Sequence, residues 1–339
     1  MTLKDSVLWP LTLSYGAVTH LRARAYRKGV LKQRRLDGVV ISVGNITVGG
    51  TGKTPMVLWL AERLLSDGRK VGILTCGYRG EPAGGGANSA SVDSTSDEVQ
   101  LLKERLDDRV AFGVGADRFA HGWELIRRGV DWFILDDGFQ HLQLARDVDI
   151  VLIDATNPFG GGQLLPAGRL REARTALGRA DVIVITRSHH APAVEAAIRR
   201  DSDAPIFYAR PEFESVRAPF HPHLTEKDAR DTPLFAFCGI GNPQAFLADL
   251  RDWKFQIADH KFFPDHHVYS VRDIEQIERE AKAAGAAGVI CTEKDSFNYR
   301  GVWRATNLWV CSISLRIDRE DDFWRAIMRL CDTRSKALR

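Results

Sequence analysis

Residues 47–55 read Thr47-Val48-Gly49-Gly50-Thr51-Gly52-Lys53-Thr54-Pro55, and this stretch decides the fold. The apolar run Val39-Val40-Ile41-Ser42-Val43 precedes it, and a helical pattern over 56–65 follows. Strand, glycine-rich turn, Gly-Lys-Thr and helix are the parts of a phosphate-binding loop. The glycines let backbone N–H groups turn inward around phosphate oxygens. The helix start adds the positive end of its dipole, Lys53 adds a full charge, and the Thr54 hydroxyl can hold Mg²⁺. Gly49, Gly50, Thr51, Gly52, Lys53 and Thr54 are therefore the candidate phosphate-binding residues. One departure from the pattern is visible: its usual first glycine falls at Thr47. A chance Gly-Lys-Thr in an ordinary glycine turn is the competing reading, and it does not account for the strand before and the helix after.

Outward from this loop, the first two-thirds of the chain alternates apolar strands with helical patterns. Strands are expected over 39–43, 71–75, 132–135, 150–153 and 182–186, and helices over 56–65, 98–105, 118–128 and 194–199. Continuous Val/Ile/Leu runs separated by helices predict an α/β, mostly parallel sheet with helices on both faces. A second, smaller α/β unit is expected beyond residue 205. Its strands fall over 234–238, 255–259, 288–292 and 308–313, and its helices over 243–250 and 271–284. The spacing divides the chain into an N-terminal helix over 1–35, a nucleotide-binding domain over 36–205, the smaller domain over 206–316 and a C-terminal helix over 317–339. Segments near 206–216 and 308–316 read as the outgoing and returning linkers, which could pair as a short ribbon. Two long irregular stretches interrupt the pattern: 81–96, rich in Gly, Ala, Ser and Asn, and 159–171, with Gly160-Gly161-Gly162 and Pro166. The first reads as a mobile surface loop, and loops of such length are often lids or binding segments.

The 339 residues are 44% hydrophobic and 27% charged, the composition of a soluble globular protein with an ample core. Net charge is +3, and there is neither zinc-finger spacing nor an RNA-recognition signature, so no nucleic acid partner is expected. The five cysteines are scattered without a Cys-x-x-Cys pair, which fits structural thiols in a reducing compartment. No apolar run reaches the roughly 20 residues that span a bilayer. Residues 7–18 are nonetheless mostly apolar, and Arg22, Arg24, Arg27, Lys28, Lys32, Arg34 and Arg35 follow before the first acid at Asp37. The order is the reverse of a signal peptide. It leaves two readings open: a helix lying on an anionic membrane surface, or a helix packed on the protein with a solvated basic end.

The remaining candidates for chemistry lie at strand ends and in loops. Trp132-Phe133-Ile134-Leu135-Asp136-Asp137 is an apolar strand ending in two acids, the arrangement that places a carboxylate near Mg²⁺ opposite a phosphate loop. Gly138-Phe139-Gln140-His141 follows, where His141 either contacts phosphate or fixes the loop. Asp97 opens a helical stretch and reads first as its N-cap, with a general base for an incoming hydroxyl as the alternative. In the stretch from Asp259 to Tyr269, no second histidine cluster completes a zinc site, and a histidine oriented by Asp265 is the preferred reading. Arg169 and Arg171, beside Glu172, match phosphate oxygens in shape and charge, although a solvated salt-bridged loop would show the same residues. Thr292-Glu293-Lys294-Asp295 has its lysine one place late for the guanine-reading motif of GTPases, which argues against that class.

Taken in order, these motifs give the chain a nearly full-length resemblance to the tetraacyldisaccharide 4′-kinases, the lipid A 4′-kinases of Gram-negative bacteria. The resemblance rests on the residues from Val43 to Pro55, on Ser96-Asp97-Glu98 and on Leu135-Asp136-Asp137-Gly138-Phe139-Gln140-His141. It continues through Leu164-Leu165-Pro166-Ala167-Gly168-Arg169-Leu170-Arg171-Glu172, Phe237-Cys238-Gly239-Ile240-Gly241-Asn242-Pro243, Phe263-Pro264-Asp265-His266-His267 and Thr292-Glu293-Lys294-Asp295. It implies transfer of the ATP γ-phosphate to the 4′-hydroxyl of a tetraacylated glucosamine disaccharide 1-phosphate, giving lipid IVA and ADP. It also implies Mg²⁺ and a peripheral position on the cytoplasmic face of the bacterial inner membrane, with no obligate protein partner. With an acylated substrate to be met at a bilayer, the membrane reading of the N-terminal segment becomes the preferred one.

By matched position, the resemblance makes Asp97 the catalytic base, helped by His266 brought toward it as the two domains close. It gives Lys53 and Thr54 to the phosphates and metal, Asp136 and Asp137 to Mg²⁺ or its waters, and Arg169, Arg171 and Glu172 to the neighbourhood of the nucleotide. Two departures stand out: Cys76 replaces the arginine of the family's Ser-Arg-Gly-Tyr, with Arg79 a possible replacement, and Ala173 replaces the proline after Arg-Glu. The alternatives are a P-loop kinase or ATPase acting on a soluble acceptor, and a non-catalytic nucleotide-gated switch.

Overall fold

The computed structural model describes residues 3–77, 96–299, 303 and 307–337. Residues 81–95 of the loop expected over 81–96, and the Tyr78-Arg79 pair, lie outside the described residues. The chain forms two compact units. The first comprises Met1–Ser94, Arg105–Arg210 and Leu315–Arg339, and the second Thr95–Glu104 and Pro211–Ser314. Residues 96–104 precede a strand of the first unit in sequence, yet their contacts place them in the second.

In the first unit, β1 (Val39–Asn45), β2 (Val71–Thr75), β4 (Trp132–Asp136), β5 (Val148–Asp154) and β6 (Val182–Thr186) are buried along almost their whole length. They pair in parallel, with β3 (Ala111–Val114) outside β2 and β7 (Ile206–Arg217) outside β6, in the order β3-β2-β4-β1-β5-β6-β7. Strands covered on both faces must be apolar throughout, which is why their runs stood out. β3 did not stand out. It is a four-residue edge strand, only one residue of which is fully buried, and its apolar run, Val110 to Val114, is short and interrupted by Gly113. Helix α2 (Lys53–Ser66) buries Met56, Val57, Leu60, Ala61 and Leu64 at helical spacing. The chain after β1 returns on one side of the sheet and the chain after β5 on the other. The carboxyl ends of these two neighbouring strands therefore flank the crevice where such sheets bind ligands.

The first helix, α1 (Leu3–Arg27), packs by one side only. The backbone N–H of Ala167 donates to the Thr12 hydroxyl at 3.2 Å, and the Tyr15 hydroxyl donates to the Arg171 carbonyl at 2.9 Å. Trp9, Leu11, Leu13, Val18 and Leu21 remain exposed. The packed reading of this segment thus holds for one side of the helix, and the other side stays apolar and uncovered. No described helix is long and apolar enough to cross a membrane.

In the second unit the strand order is β11 (Leu308–Ile317), β10 (Gly288–Thr292), β8 (Leu234–Cys238), β9 (Ile257–Phe262). Alternate residues of β8 enter different cores, as a pleated strand requires. Ala236 and Cys238 join Phe246, Leu250, Phe255 and Trp309, while Phe235 and Phe237 join Tyr269, Ile274, Ile277 and Val310. The expected strand over 255–259 lies two residues later as β9, because this edge strand carries exposed Asp259 and His260 and shows no apolar run. The linker segments are the neighbouring strands β7 and β11, each of which passes from one unit into the other. Side-chain caps start helices of this unit. Asn242 accepts from the Ala245 N–H before α7 (Pro243–Asp252), and Ser270 with Asp273 forms a capping box before α8 (Val271–Ala283).

Candidate functional site

The chemistry-bearing residues form two clusters, one in each unit. In the first unit, β1 delivers the glycine-rich turn. Gly52 is the N-cap residue of α2 in a left-handed conformation, φ 87°, and no side chain caps the helix. The leading N–H groups of a helix have no partners within it, and the Lys53 ammonium stands on the same turn. This donor-rich, acceptor-poor arrangement fits a polyphosphate. The turn is braced from below: the Asn45 amide donates to the Thr51 hydroxyl at 2.9 Å, and the Thr186 hydroxyl at the end of β6 donates to the Thr51 carbonyl at 3.0 Å. The strap over 163–171 lies along its approach, with the Val48 N–H donating to the Arg169 carbonyl and the Arg171 N–H donating to the Ile46 carbonyl, both at 2.8 Å.

At the end of β4, Asp136 is buried and accepts from the Thr75 hydroxyl at 3.2 Å. The next residue, Asp137, has φ 47°, a left-handed conformation that non-glycine residues enter mainly at special sites. Arg171 donates to both of its carboxylate oxygens, at 2.8 and 2.7 Å, and Lys53 lies 3.6 Å from it. Burial would raise the Asp137 carboxyl, but the Lys53 and Arg171 charges outweigh it and hold the group below its usual range. Gly44 permits this turn: a Cβ there would lie 2.6 Å from the Phe139 Cβ and 2.7 Å from its backbone nitrogen.

The other loop candidates take supporting positions. Arg169 donates twice to the Val48 carbonyl, at 3.1 and 3.0 Å. Glu172 is held bidentately by Arg179 at 2.9 Å and receives the Gln140 amide at 3.0 Å, while Gln140 also donates to the Asn45 carbonyl. Glu172 thus ties the strap to the floor of the phosphate loop. Burial and the nearby Arg118, Arg146 and Arg22 push His141 down to about 4, so at neutral pH it is an uncharged member of its loop.

The second cluster is built around Asp97, at the start of α3 (Asp97–Leu106). The cap is Ser96, whose hydroxyl accepts from the Val99 N–H at 3.4 Å. The Asp97 carboxylate, 3% exposed, turns to His266, whose Nδ1 lies 2.9 and 3.1 Å from its two oxygens. The Asn298 amide donates to the same carboxylate at 3.1 Å. Asp97 and His266 both belong to the second unit and are already hydrogen-bonded there, so their contact needs no closure of one unit on the other. Asp265, expected to orient a histidine, lies 3.9 Å from His266 Nε2, and Asp97 is the closer acid. His266 itself is left-handed, φ 59°, and its N–H donates to the Gly239 carbonyl at 3.1 Å.

Burial acts to raise the Asp97 carboxyl, yet the hydrogen bond from His266 and the Lys294 charge bring it below its ordinary value. The bond to Asp97 is the main reason that the His266 imidazole is raised above its own.

Lys294 and Asn298 were not singled out from sequence. Lys294 stood in a quoted motif without a role, and nothing marked Asn298. Lys294 immediately precedes the short helix α9 (Asp295–Asn298), Asn298 ends it, and Asp295 anchors it. Fully buried, Asp295 accepts from the Gly239 N–H and the Tyr269 hydroxyl, both at 2.7 Å, and from Thr292. Cys238, Cys291, Cys311 and Cys331 are free and buried, and burial raises their thiols, Cys311 and Cys331 to about 12, as structural thiols require. No group of three or more metal-ligating His, Cys, Asp or Glu occurs among the described residues. The oxygen donors Thr54 and Asp136 beside the phosphate loop fit instead an ion that completes its shell with phosphate and water, as Mg²⁺ does.

The family model for Tetraacyldisaccharide-1-P 4′-kinase (LpxK) matches residues 4–332. The chain is similar to the tetraacyldisaccharide 4′-kinase of Desulfotalea psychrophila, 35% identical with 96% of each chain covered. It is 38% identical to that of Geobacter metallireducens, over 86% of this chain and 87% of the relative. Its structure resembles that of LpxK from Aquifex aeolicus in complex with ATP, with a TM-score of 0.73, 29% identity and coverage of 97% and 99%. A phosphate loop with a facing carboxylate is shared by many proteins, but a match along the whole chain at this identity is not: the chain belongs to the tetraacyldisaccharide-1-P 4′-kinase family and is a kinase.

Proposed function

We propose that this chain moves the γ-phosphoryl group of ATP to the 4′-hydroxyl of a tetraacylated glucosamine disaccharide 1-phosphate, giving lipid IVA and ADP. The observation that carries the reading beyond simple nucleotide binding is the buried Asp97 carboxylate kept ionised against His266. A nucleotide-gated switch has no use for a poised base, whereas an alcohol acceptor does.

In this reading the uncapped start of α2 and Lys53 grip the phosphates. Thr54 and Asp136 would hold Mg²⁺, with Asp137 serving it directly or through water, and the ion would neutralise charge on the triphosphate. Arg171 and Lys53 hold Asp137 in its left-handed turn, and Arg169 and Glu172 fix the strap beside the nucleotide loop. The acceptor hydroxyl gives its proton to Asp97, its oxygen forms the new bond to the γ-phosphorus, and the bond to the ADP oxygen breaks. A hydroxyl reaching Asp97 replaces one of its donors, and the Asn298 amide, neutral at 3.1 Å, can be exchanged without loss of charge. His266 Nδ1–H stays on the carboxylate and orients it.

The exposed Trp9, Leu11, Leu13, Val18 and Leu21, followed by Arg22, Arg24, Arg27 and Lys28, suit α1 to the anionic cytoplasmic face of the inner membrane, where an acylated substrate resides. The test is mass spectrometry of the products after incubation with Mg-ATP and acylated or deacylated disaccharide 1-phosphate. A mass gain of one phosphate on the acylated acceptor is expected. Phosphorylation of the deacylated acceptor alone would favour a soluble substrate, and no phosphorylated acceptor would favour a switch. Sedimentation with anionic vesicles tests the surface: binding unchanged in a Leu13→Ser, Val18→Ser, Leu21→Ser variant would exclude α1 from it.

A further inference from the structure

We propose that Lys294 is a positioning residue for the Asp97–His266 pair: its ammonium, donating to His266 Nε2, confines the ring proton to Nδ1 and so leaves Asp97 as the proton acceptor. The inference rests on the reading of Asp97 as the base and adds to it the group that decides where the proton goes.

The geometry is specific. Lys294 Nζ lies 3.4 Å from His266 Nε2, 3.3 Å from Glu98 Oε1, 3.5 Å from Asp265 Oδ1 and 3.8 Å from Asp97 Oδ2. An ammonium has donors and no lone pair, so Nε2 can face it only as an acceptor. The second ring nitrogen then carries the proton, and that nitrogen is the one placed 2.9 Å from Asp97. Protonating Nε2 as well would set an imidazolium against an ammonium at contact distance.

Burial alone would discharge Lys294, but Glu98, Asp97 and Asp265 keep it charged and raise it above its ordinary value. The lysine is also held from behind. Asp295, the adjacent residue, is fixed by Gly239, Tyr269 and Thr292, and Asn298 at the far end of α9 reaches Asp97. The charged groups that face the ring include Asp97 from α3, Asp265, the residue before it, and Lys294, whose ammonium Glu98 of α3 holds in turn. The acids favour a protonated ring and the ammonium opposes it.

The experiment uses the full chain with ¹⁵N-labelled histidine. In the wild type, above the His266 pKa, the ring resonances must report Nδ1–H and a bare Nε2. The opposite tautomer overturns the proposal without any variant. In Lys294→Met, which keeps length and loses charge, the His266 pKa measured by NMR moves up by about one unit. The acid limb of the kcat profile follows by the same amount, while the KM for ATP stays put. Lys294→Arg restores part of the shift. In a His266→Gln background, Lys294→Met moves the acid limb less, because only its direct effect on Asp97 is left. A Lys294→Met enzyme with reduced kcat but an unmoved His266 pKa and tautomer places the ammonium in some other role and overturns the proposal. Wild-type kcat in Asp97→Asn would instead remove the base itself, a distinct failure that the histidine resonances do not share.

Discussion

Replacing Asp97 by asparagine keeps the shape of the side chain and removes its basicity, and it is the most direct probe of the reaction. An amide oxygen can still accept from His266 Nδ1, now at 2.9 Å from the carboxylate. The introduced NH₂ must then face the Asn298 amide, which now donates at 3.1 Å, so two donors meet and one hydrogen bond is lost. That loss, together with weaker bonds to Lys294 and the Glu98 N–H, costs about 1–3 kcal/mol of stability. A positioned general base contributes roughly 100- to 10,000-fold, equivalent to about 3–5 kcal/mol of the barrier. The expected result is therefore a folded enzyme whose kcat has fallen by about that factor. Its KM for ATP should change by less than about twofold, since Gly52, Lys53 and Thr54 are untouched. Steady-state release of ADP with Mg-ATP and the acylated acceptor measures both constants, and urea unfolding measures the stability. A folded Asp97→Asn enzyme with kcat within about threefold of wild type would refute the assignment of the base.

Lys53→Met removes the ammonium that faces Asp137 at 3.6 Å, and calorimetry with Mg-ATP should find affinity lowered by about 30-fold or more, the worth of a charge-assisted contact. Affinity unchanged within error would contradict the phosphate-loop reading. The Asp97–His266 pair also gives stability a defined pH dependence. The folded-state pKa of His266 lies above its ordinary 6.5, so its contribution is full below 6.5 and is lost as pH rises through the folded value. That of Asp97 lies below 3.8, so its contribution is full above 3.8 and is lost as pH falls through the folded value. The stability difference between wild type and His266→Gln, read by urea unfolding, should thus be larger at pH 5.5 than at pH 9, and an equal difference at both would break the linkage. Gly44→Ala forces a methyl to within 2.6 Å of Phe139, whose backbone nitrogen is almost as close and cannot rotate aside. A loss of about 1–3 kcal/mol or more is expected, and a neutral result would mean that the turn after β4 shifts freely.

Legibility from sequence followed burial. Strands β1, β2, β4, β5 and β6 are enclosed on both faces, so nearly every position must be apolar and the run announces itself. The edge strands β3 and β9 are less completely buried, β3 being only four residues long and β9 carrying exposed positions, and one was missed while the other was misplaced by two residues. The phosphate loop was legible because a local backbone shape demands a local spelling. The second cluster was not, except through resemblance. Asp97 and His266 are 169 positions apart, and Asp97 and Asn298 are 201 apart. No periodicity or spacing relates them, because what joins them is the packing of α3 beside α9. The local reading of Asp97 as a cap holds in part: its carboxylate accepts the Glu98 N–H at 2.9 Å, while Ser96, one residue earlier, accepts the Val99 N–H, and the same carboxylate faces a histidine.

The two clusters share a physical device that the individual residues do not reveal. Asp137 and His266 both stand in the left-handed region, where a non-glycine side chain costs on the order of 1 kcal/mol, and both are held there by charged partners. For Asp137 the partners are the Arg171 fork and Lys53. For His266 the partner is Asp97, aided by the backbone bond to Gly239. Relaxing either turn would re-aim a side chain to which the proposed reaction gives a role, so the ion pairs act on geometry before they act on charge. The same pairs also set protonation: burial would raise both carboxyls, but the Lys53 and Arg171 charges outweigh it at Asp137, and the His266 hydrogen bond with the Lys294 charge outweighs it at Asp97. A cation removed from either cluster should therefore produce two effects that move together, a side chain that departs from its left-handed turn and a carboxyl that becomes easier to protonate.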